Sequence, residues 1–120
     1  MADNRRVHRY ADMIKKTLSN IIEFKLKDPD KGFITVTAVR MSADLKIASV
    51  YYTVLGDEEQ RDVTARVLKK AIPFLRNELK PHITSRWIPE LRFFYDETLD
   101  QAEKINALLE KIKNDSHSNE

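Results

Sequence analysis

The sequence predicts an α+β fold, a single three-stranded sheet carrying helices on one of its faces. Three observations point to it. Apolar residues recur at helical spacing up to residue 26, alternate at strand spacing between Phe33 and Val54, and return to helical spacing after Gly56. The short link Ser42-Ala43-Asp44 joins two alternating stretches and makes them an antiparallel hairpin. A third alternating stretch, Glu90 to Tyr95, follows a long basic segment.

In order, residues 5–26 form an amphipathic helix, with Val7, Ala11, Ile14, Leu18 and Ile21 as its buried stripe. Pro29 pushes Asp28 out of the helical region, and Gly32 closes the turn that follows. Asp28 and Asp30 have a calcium-loop look. However, Gly32 falls one position early, and the twelfth-position acid would fall on Val39, so this is a turn and not a metal site. In the hairpin, Ile34, Val36 and Ala38 should share a face with Ala48, Val50, Tyr52 and Val54. Thr35, Thr37, Ser49 and Thr53 should form an open, mildly polar face.

Asp57 is placed to cap the next helix, and Gln60, three residues on, completes a capping-box pattern. Val63, Val67 and Ala71 carry its apolar stripe. Pro73 lacks an amide hydrogen and crowds the preceding turn, so the helix is expected to break or kink at Ala71-Ile72-Pro73. A further helix should start there, carrying Phe74, Leu75 and Leu79 inward. After the third strand, Thr98 to Lys113 reads as a helix whose stripe of Ile105, Leu108, Leu109 and Ile112 is expected to cover the core. Left exposed, that stripe would favour self-association. The expected organisation is one domain over residues 1–113 with a flexible tail at 114–120.

Composition bounds the function. The chain has 120 residues and no cysteine, which rules out a disulfide framework and a thiolate metal site. No secretory signal opens it, and no stretch approaches the roughly 20 apolar residues that span a bilayer, so a cytoplasmic protein without membrane contact is expected. The net charge of +2 conceals segregation: residues 66–92 carry seven Lys and Arg against two acids, whereas residues 93–120 carry three against seven. A basic segment of that kind suits a polyanion, or else is a solvated helix face.

Three other classes fit the chain less well. An enzyme would need a paired base and orienting acid or a metal set, and His8, His82 and His117 show neither spacing. No catalytic residue, metal or cofactor is therefore assigned. A generic single-stranded nucleic-acid module would need open stacking aromatics. Tyr51, Trp87 and Phe94 are the candidates, though aromatics at strand spacing usually belong to a core. A protein-interaction module would use the C-terminal stripe.

The order α-β-β-α-α-β with an added C-terminal helix is that of the type II KH fold, an RNA-binding architecture. The wording of the chain sharpens this. Lys27-Asp28-Pro29, Ser42-Ala43-Asp44-Leu45, Ala48-Ser49-Val50-Tyr51 and Val54-Leu55-Gly56-Asp57-Glu58-Glu59 follow one another in order. Then come Phe74-Leu75-Arg76-Asn77-Glu78-Leu79, Pro89-Glu90-Leu91-Arg92-Phe93 and Tyr95-Asp96. Across residues 5–112 this set resembles the bacterial ribosome-binding factor A family. The resemblance implies a KH-like domain without the Gly-x-x-Gly loop, and the chain's two glycines, Gly32 and Gly56, supply none. The family's Ala-x-Gly kink is here Ala71-Ile72-Pro73.

The resemblance also implies a non-enzymatic monomer that binds the immature 30S small ribosomal subunit and its 16S ribosomal RNA. Such a factor assists late maturation and processing, notably in the cold. It requires a rigid module with a positive face. The expected RNA-binding residues are Arg5, Arg6, Arg9 and Lys16 on the first helix, with Lys69, Lys70, Arg76, Lys80 and Arg86 around the kink. Charge reversal at Lys70 or Arg76 is expected to weaken binding without unfolding the domain.

Overall fold

The computed structural model describes residues 2–98 and 105–112; the expected tail at 114–120 lies outside them. Helix α1 spans Ala2–Asn20 and continues through one π turn, Ile21–Lys25. Strands β1 (Ile34–Met41) and β2 (Ile47–Val54) follow, then helix α2 (Glu58–Leu79), a short 3-10 turn at Lys80–His82, and strand β3 (Glu90–Tyr95).

The sheet order is β1-β2-β3. β1 and β2 are antiparallel, as the short link requires, while β3 runs parallel to β2 from Ile47↔Glu90 to Tyr52↔Tyr95. A parallel neighbour needs a crossover, and α2 supplies it. Both helices lie on one face of the sheet. Ile14 and Leu18 of α1, Leu68, Leu75 and Leu79 of α2, and Ala48 and Val50 of β2 are fully buried between the layers. This is the expected α+β arrangement, built around one core.

The predicted break at Ala71-Ile72-Pro73 is absent: α2 runs continuously through Pro73, so the two middle helices of the expected order are halves of one. Exposure explains this. Pro73 lies on the solvent face, as does Lys69, whose carbonyl loses its helical donor to the proline and can turn to water. The buried stripe Thr64, Val67, Leu68, Ala71, Leu75, Leu79 crosses the position without interruption and holds both halves to the sheet.

The face assignment of β1 also needs correction. Its register against β2 shifts between Val36 and Ala38, a β-bulge at Thr37. Val36 is buried, but beyond the bulge Val39 and Met41 turn towards the core in place of Ala38. Ala38 and Arg40 thereby join the open face.

Asp57 caps α2 by accepting from Gln60 N at 2.9 Å. The reciprocal half of the capping box is not formed. The Gln60 side chain instead donates to Thr64 Oγ1 at 3.1 Å, satisfying a hydroxyl that is fully buried. A Cβ on Gly32 would meet Gln60 Nε2 at 2.8 Å and Val54 Cγ1 at 3.1 Å, so a larger residue there would have to displace the Gln60 side chain. The turn itself is as expected, with Asp28 Oδ1 accepting from Asp30 N at 2.9 Å. Lys31 Nζ donates to the Ile22 carbonyl at 2.7 Å, where the π turn leaves acceptors unpaired.

Residues 105–112 are helical, but Ile105, Leu108, Leu109 and Ile112 are all exposed and do not cover the core as predicted. The helix-bearing face of the sheet is already filled by α1 and α2, which leaves the stripe no core surface to join.

Candidate nucleic-acid interface

The stripe that buries α1, Tyr10, Ala11, Ile14 and Leu18, leaves Arg5, Arg6, Arg9 and Lys16 exposed. On α2, Lys69 and Lys70 are exposed in the same way, and Lys80 follows on the 3-10 turn. Lys70 shares a shallow cleft of about 260 Å3 with Arg66, Val63, Val67, Asp28 and Asp30. The two aspartates moderate the positive potential there, so Lys69, which does not line the cleft, is the freer cation of the pair. Lys25 is engaged, 3.0 Å from Glu78, and ties the end of the first helix to α2.

Arg76 differs from the rest. Its guanidinium donates to the carbonyls of Ile88 at 3.1 Å and Pro89 at 3.3 Å, bracing α2 against the chain that leads into β3. Those acceptors precede a strand and have no ladder partner of their own. The structure therefore gives Arg76 a role in the fold, so its reversal should cost stability as well as the binding that the sequence reading expected it to weaken.

Two predicted residues distant in sequence are brought together. Arg6 of α1 and Arg86 of the loop before β3 line one cleft of about 440 Å3 with Asp44, Leu45 and Trp87. Tyr10 anchors the loop by a 2.8 Å hydrogen bond to Ser85, whose hydroxyl donates to the Trp87 carbonyl at 2.9 Å. Lys46 Nζ and the Arg86 guanidinium lie 5.2 and 4.8 Å from the Trp87 ring centre. Trp87 is 45% exposed, so the core placement usual for an aromatic does not hold here. Lys46 was missed because a single lysine in a hairpin loop carries no pattern.

The β1–β2 loop that presents Lys46 is tightly organised. Asp44 Oδ1 accepts from Ser42 Oγ at 2.7 Å and from Lys46 N at 3.1 Å. The Ser42 hydroxyl foremost, then the Lys46 amide, lower the Asp44 pKa below its ordinary value. Leu45 takes φ 62°, a left-handed conformation unusual for a leucine.

On the open face of the sheet, Tyr51 of β2 stacks on Phe94 of β3 with centres 5.5 Å apart. Arg40 of β1 lies 5.7 Å from the Tyr51 ring centre, a position it reaches through the bulge. Phe94 is 44% exposed and again not a core residue. Among the described residues no cluster of three or more His, Cys, Asp or Glu is assembled, and no helix is long and apolar enough to cross a membrane.

Fold and surface together define a small two-layer α+β module with exposed cations on both helices and a cationic, aromatic cleft at Trp87, suited to holding a polyanion. The family model of ribosome-binding factor A matches residues 6–109, and the chain belongs to that family. Solved structures agree. The crystal structure of ribosome-binding factor A from Thermus thermophilus is 30% identical, with a TM-score of 0.65 over 74% of this chain and 94% of that one. The solution structure of a Thermotoga maritima protein described as a putative ribosome-binding factor A is also 30% identical, with a TM-score of 0.70 over 78% and 89%. A Thermus thermophilus ribosome-binding factor A homology model, fitted into the electron cryo-microscopy map of a complex with the 30S subunit, is 31% identical, with a TM-score of 0.59 over 72% and 90%.

Proposed function

We propose that this protein is a non-enzymatic assembly factor that binds the immature 30S small ribosomal subunit through 16S ribosomal RNA and assists its late maturation and processing, including in the cold. The observation that carries the reading is the relative fitted into a 30S complex, of which this chain covers 90%. The exposed cations support it. Arg5, Arg6, Arg9 and Lys16 on α1, Lys69 and Lys70 on α2, Lys80 beyond it and Arg86 before β3 offer phosphates a discontinuous positive surface. Selectivity would come from the shape of folded RNA.

The mechanism needs no bond-making step. A factor that prefers one conformer of the subunit's RNA shifts its population by the ratio of its affinities for the two, tenfold for about 1.4 kcal/mol. In this reading the protein works in the cytoplasm, as a monomer once the exposed stripe at 105–112 is covered on the subunit, and leaves once maturation removes the preferred conformer.

Co-sedimentation of the purified protein with separated small and large subunits tests the proposal. Salt-sensitive binding confined to the small subunit is expected. Equal binding to both would reduce the protein to a generic RNA-binding module.

A further inference from the structure

The cleft at Trp87 gathers groups from three separate parts of the chain. Arg6 of α1, Asp44 and Leu45 of the β1–β2 loop and Arg86 of the loop before β3 line it, and Lys46 of the β1–β2 loop adds a third cation beside the Trp87 ring. Against the two lining arginines and the neighbouring Lys46 stands one lining carboxylate, Asp44, whose Oδ1 already accepts from Ser42 and Lys46 N. At about 440 Å3 the cleft is large enough for one nucleotide and far too small for a duplex. Its aromatic wall is a tryptophan left 45% exposed, though it is the chain's only one and a core would readily take it.

A cationic rim around a half-exposed indole is suited to a particular ligand. Phosphates are drawn by guanidinium and ammonium groups, whereas an aromatic face adds affinity only for a flat π system that can lie against it. Bases within a helix have no free face, so the ligand must be unpaired. Arg86 beside the ring is compatible with this, because a guanidinium plane stacks on bases as an aromatic does, while the Lys46 ammonium is a point charge for a phosphate.

We propose that this cleft holds one unpaired nucleotide of RNA, its base against Trp87 and the Arg86 guanidinium and its phosphates facing Arg6 and Lys46. The proposal rests on the reading of the protein as an RNA-binding assembly factor and adds a base-stacking site to it. Tyr10 and Ser85 act as positioning residues, since their hydrogen bond fixes the loop that presents the ring.

Trp87 is also the reporter, because no other tryptophan contributes to the emission. The full chain is titrated with a labelled single-stranded oligoadenylate and with a hairpin duplex of equal length, following label anisotropy and tryptophan emission together. Quenching in step with binding of the single strand, and none with the duplex, is expected. In Trp87→Leu, anisotropy should show roughly tenfold weaker binding of the single strand, with duplex affinity within about twofold of wild type.

Unchanged emission at saturating single strand overturns the proposal, whatever the fate of the Trp87→Leu variant. So does equal single-strand affinity in a folded Trp87→Leu protein. Quenching by intact small subunits but by neither RNA would assign the cleft to a ribosomal protein and likewise overturn it. Small-subunit binding with silent emission removes this site alone. Loss of binding to subunits and to all RNA removes the assembly-factor reading with it.

Discussion

Thr37 and Asp96, at opposite edges of the sheet, are joined by a 2.6 Å hydrogen bond from the Thr37 hydroxyl to Asp96 Oδ2. The bulge in β1 makes this reach possible by freeing Thr37 from the regular register, and the Asp96 amide donates to the Tyr52 carbonyl at 2.7 Å from the other side. The Thr37 hydroxyl, followed by the side chain and amide of Thr98, lowers the Asp96 pKa to about 2. Because the folded value is depressed, this stabilisation is fully present above the unfolded carboxylate pKa near 4 and is lost as pH falls through about 2. Thr37→Val should return the Asp96 pKa towards its ordinary value, as read by an NMR titration of the carboxyl. An unmoved pKa would assign the shift to Thr98 instead.

Arg76 and the lysine pair should separate folding from binding. Arg76→Ala removes donors to Ile88 and Pro89 and should destabilise the domain by about 1–3 kcal/mol in urea unfolding. Lys69→Ala with Lys70→Ala touches no such bond and should leave stability within about 0.5 kcal/mol while weakening subunit binding. A stable Arg76→Ala protein with lost binding would move Arg76 back among the contacts.

Pro73 should be a net cost to its helix. Pro73→Ala restores a donor for the Lys69 carbonyl in a helix that is already continuous, so stability should rise by about 1 kcal/mol or more. A fall in stability would show that α2 packs on a bend only proline maintains.

The stripe at 105–112 should be dispensable for folding. Leu109→Lys should leave the melting temperature within about 2 °C of wild type, because Leu109 is exposed, whereas Leu75→Ala should cost about 2–5 kcal/mol. If the exposed stripe drives self-association, sedimentation of the wild type will show it and Leu109→Lys will abolish it. A strongly destabilised Leu109→Lys protein would instead restore the predicted core role.

What was legible in the sequence was what periodicity and local chemistry control. The strand Glu90–Tyr95, the hairpin, the Asp57 cap and most of the buried stripes follow from spacing and residue type, although Phe74, expected inward, is exposed and Val7 and Val63 are only half-buried. Proline chemistry misled at Pro73, since the break it favours locally is overridden by the packing of Ala71 and Leu75 on either side. The bulge left no mark, because Val36-Thr37-Ala38-Val39 alternates plausibly in either register. In the candidate interface, the exposed helix cations were readable as charge off an apolar stripe. The meeting of Arg6, Lys46, Arg86 and Trp87 was not, because it depends on how three distant segments fold together.

The most direct test of the central claim is the equilibrium affinity of the protein for immature small subunits and for large subunits, measured between about 50 and 200 mM salt. The account predicts a clear preference for the small subunit, with the logarithm of affinity falling linearly against the logarithm of salt concentration. Affinity equal for both subunits, or indifferent to salt, would contradict it.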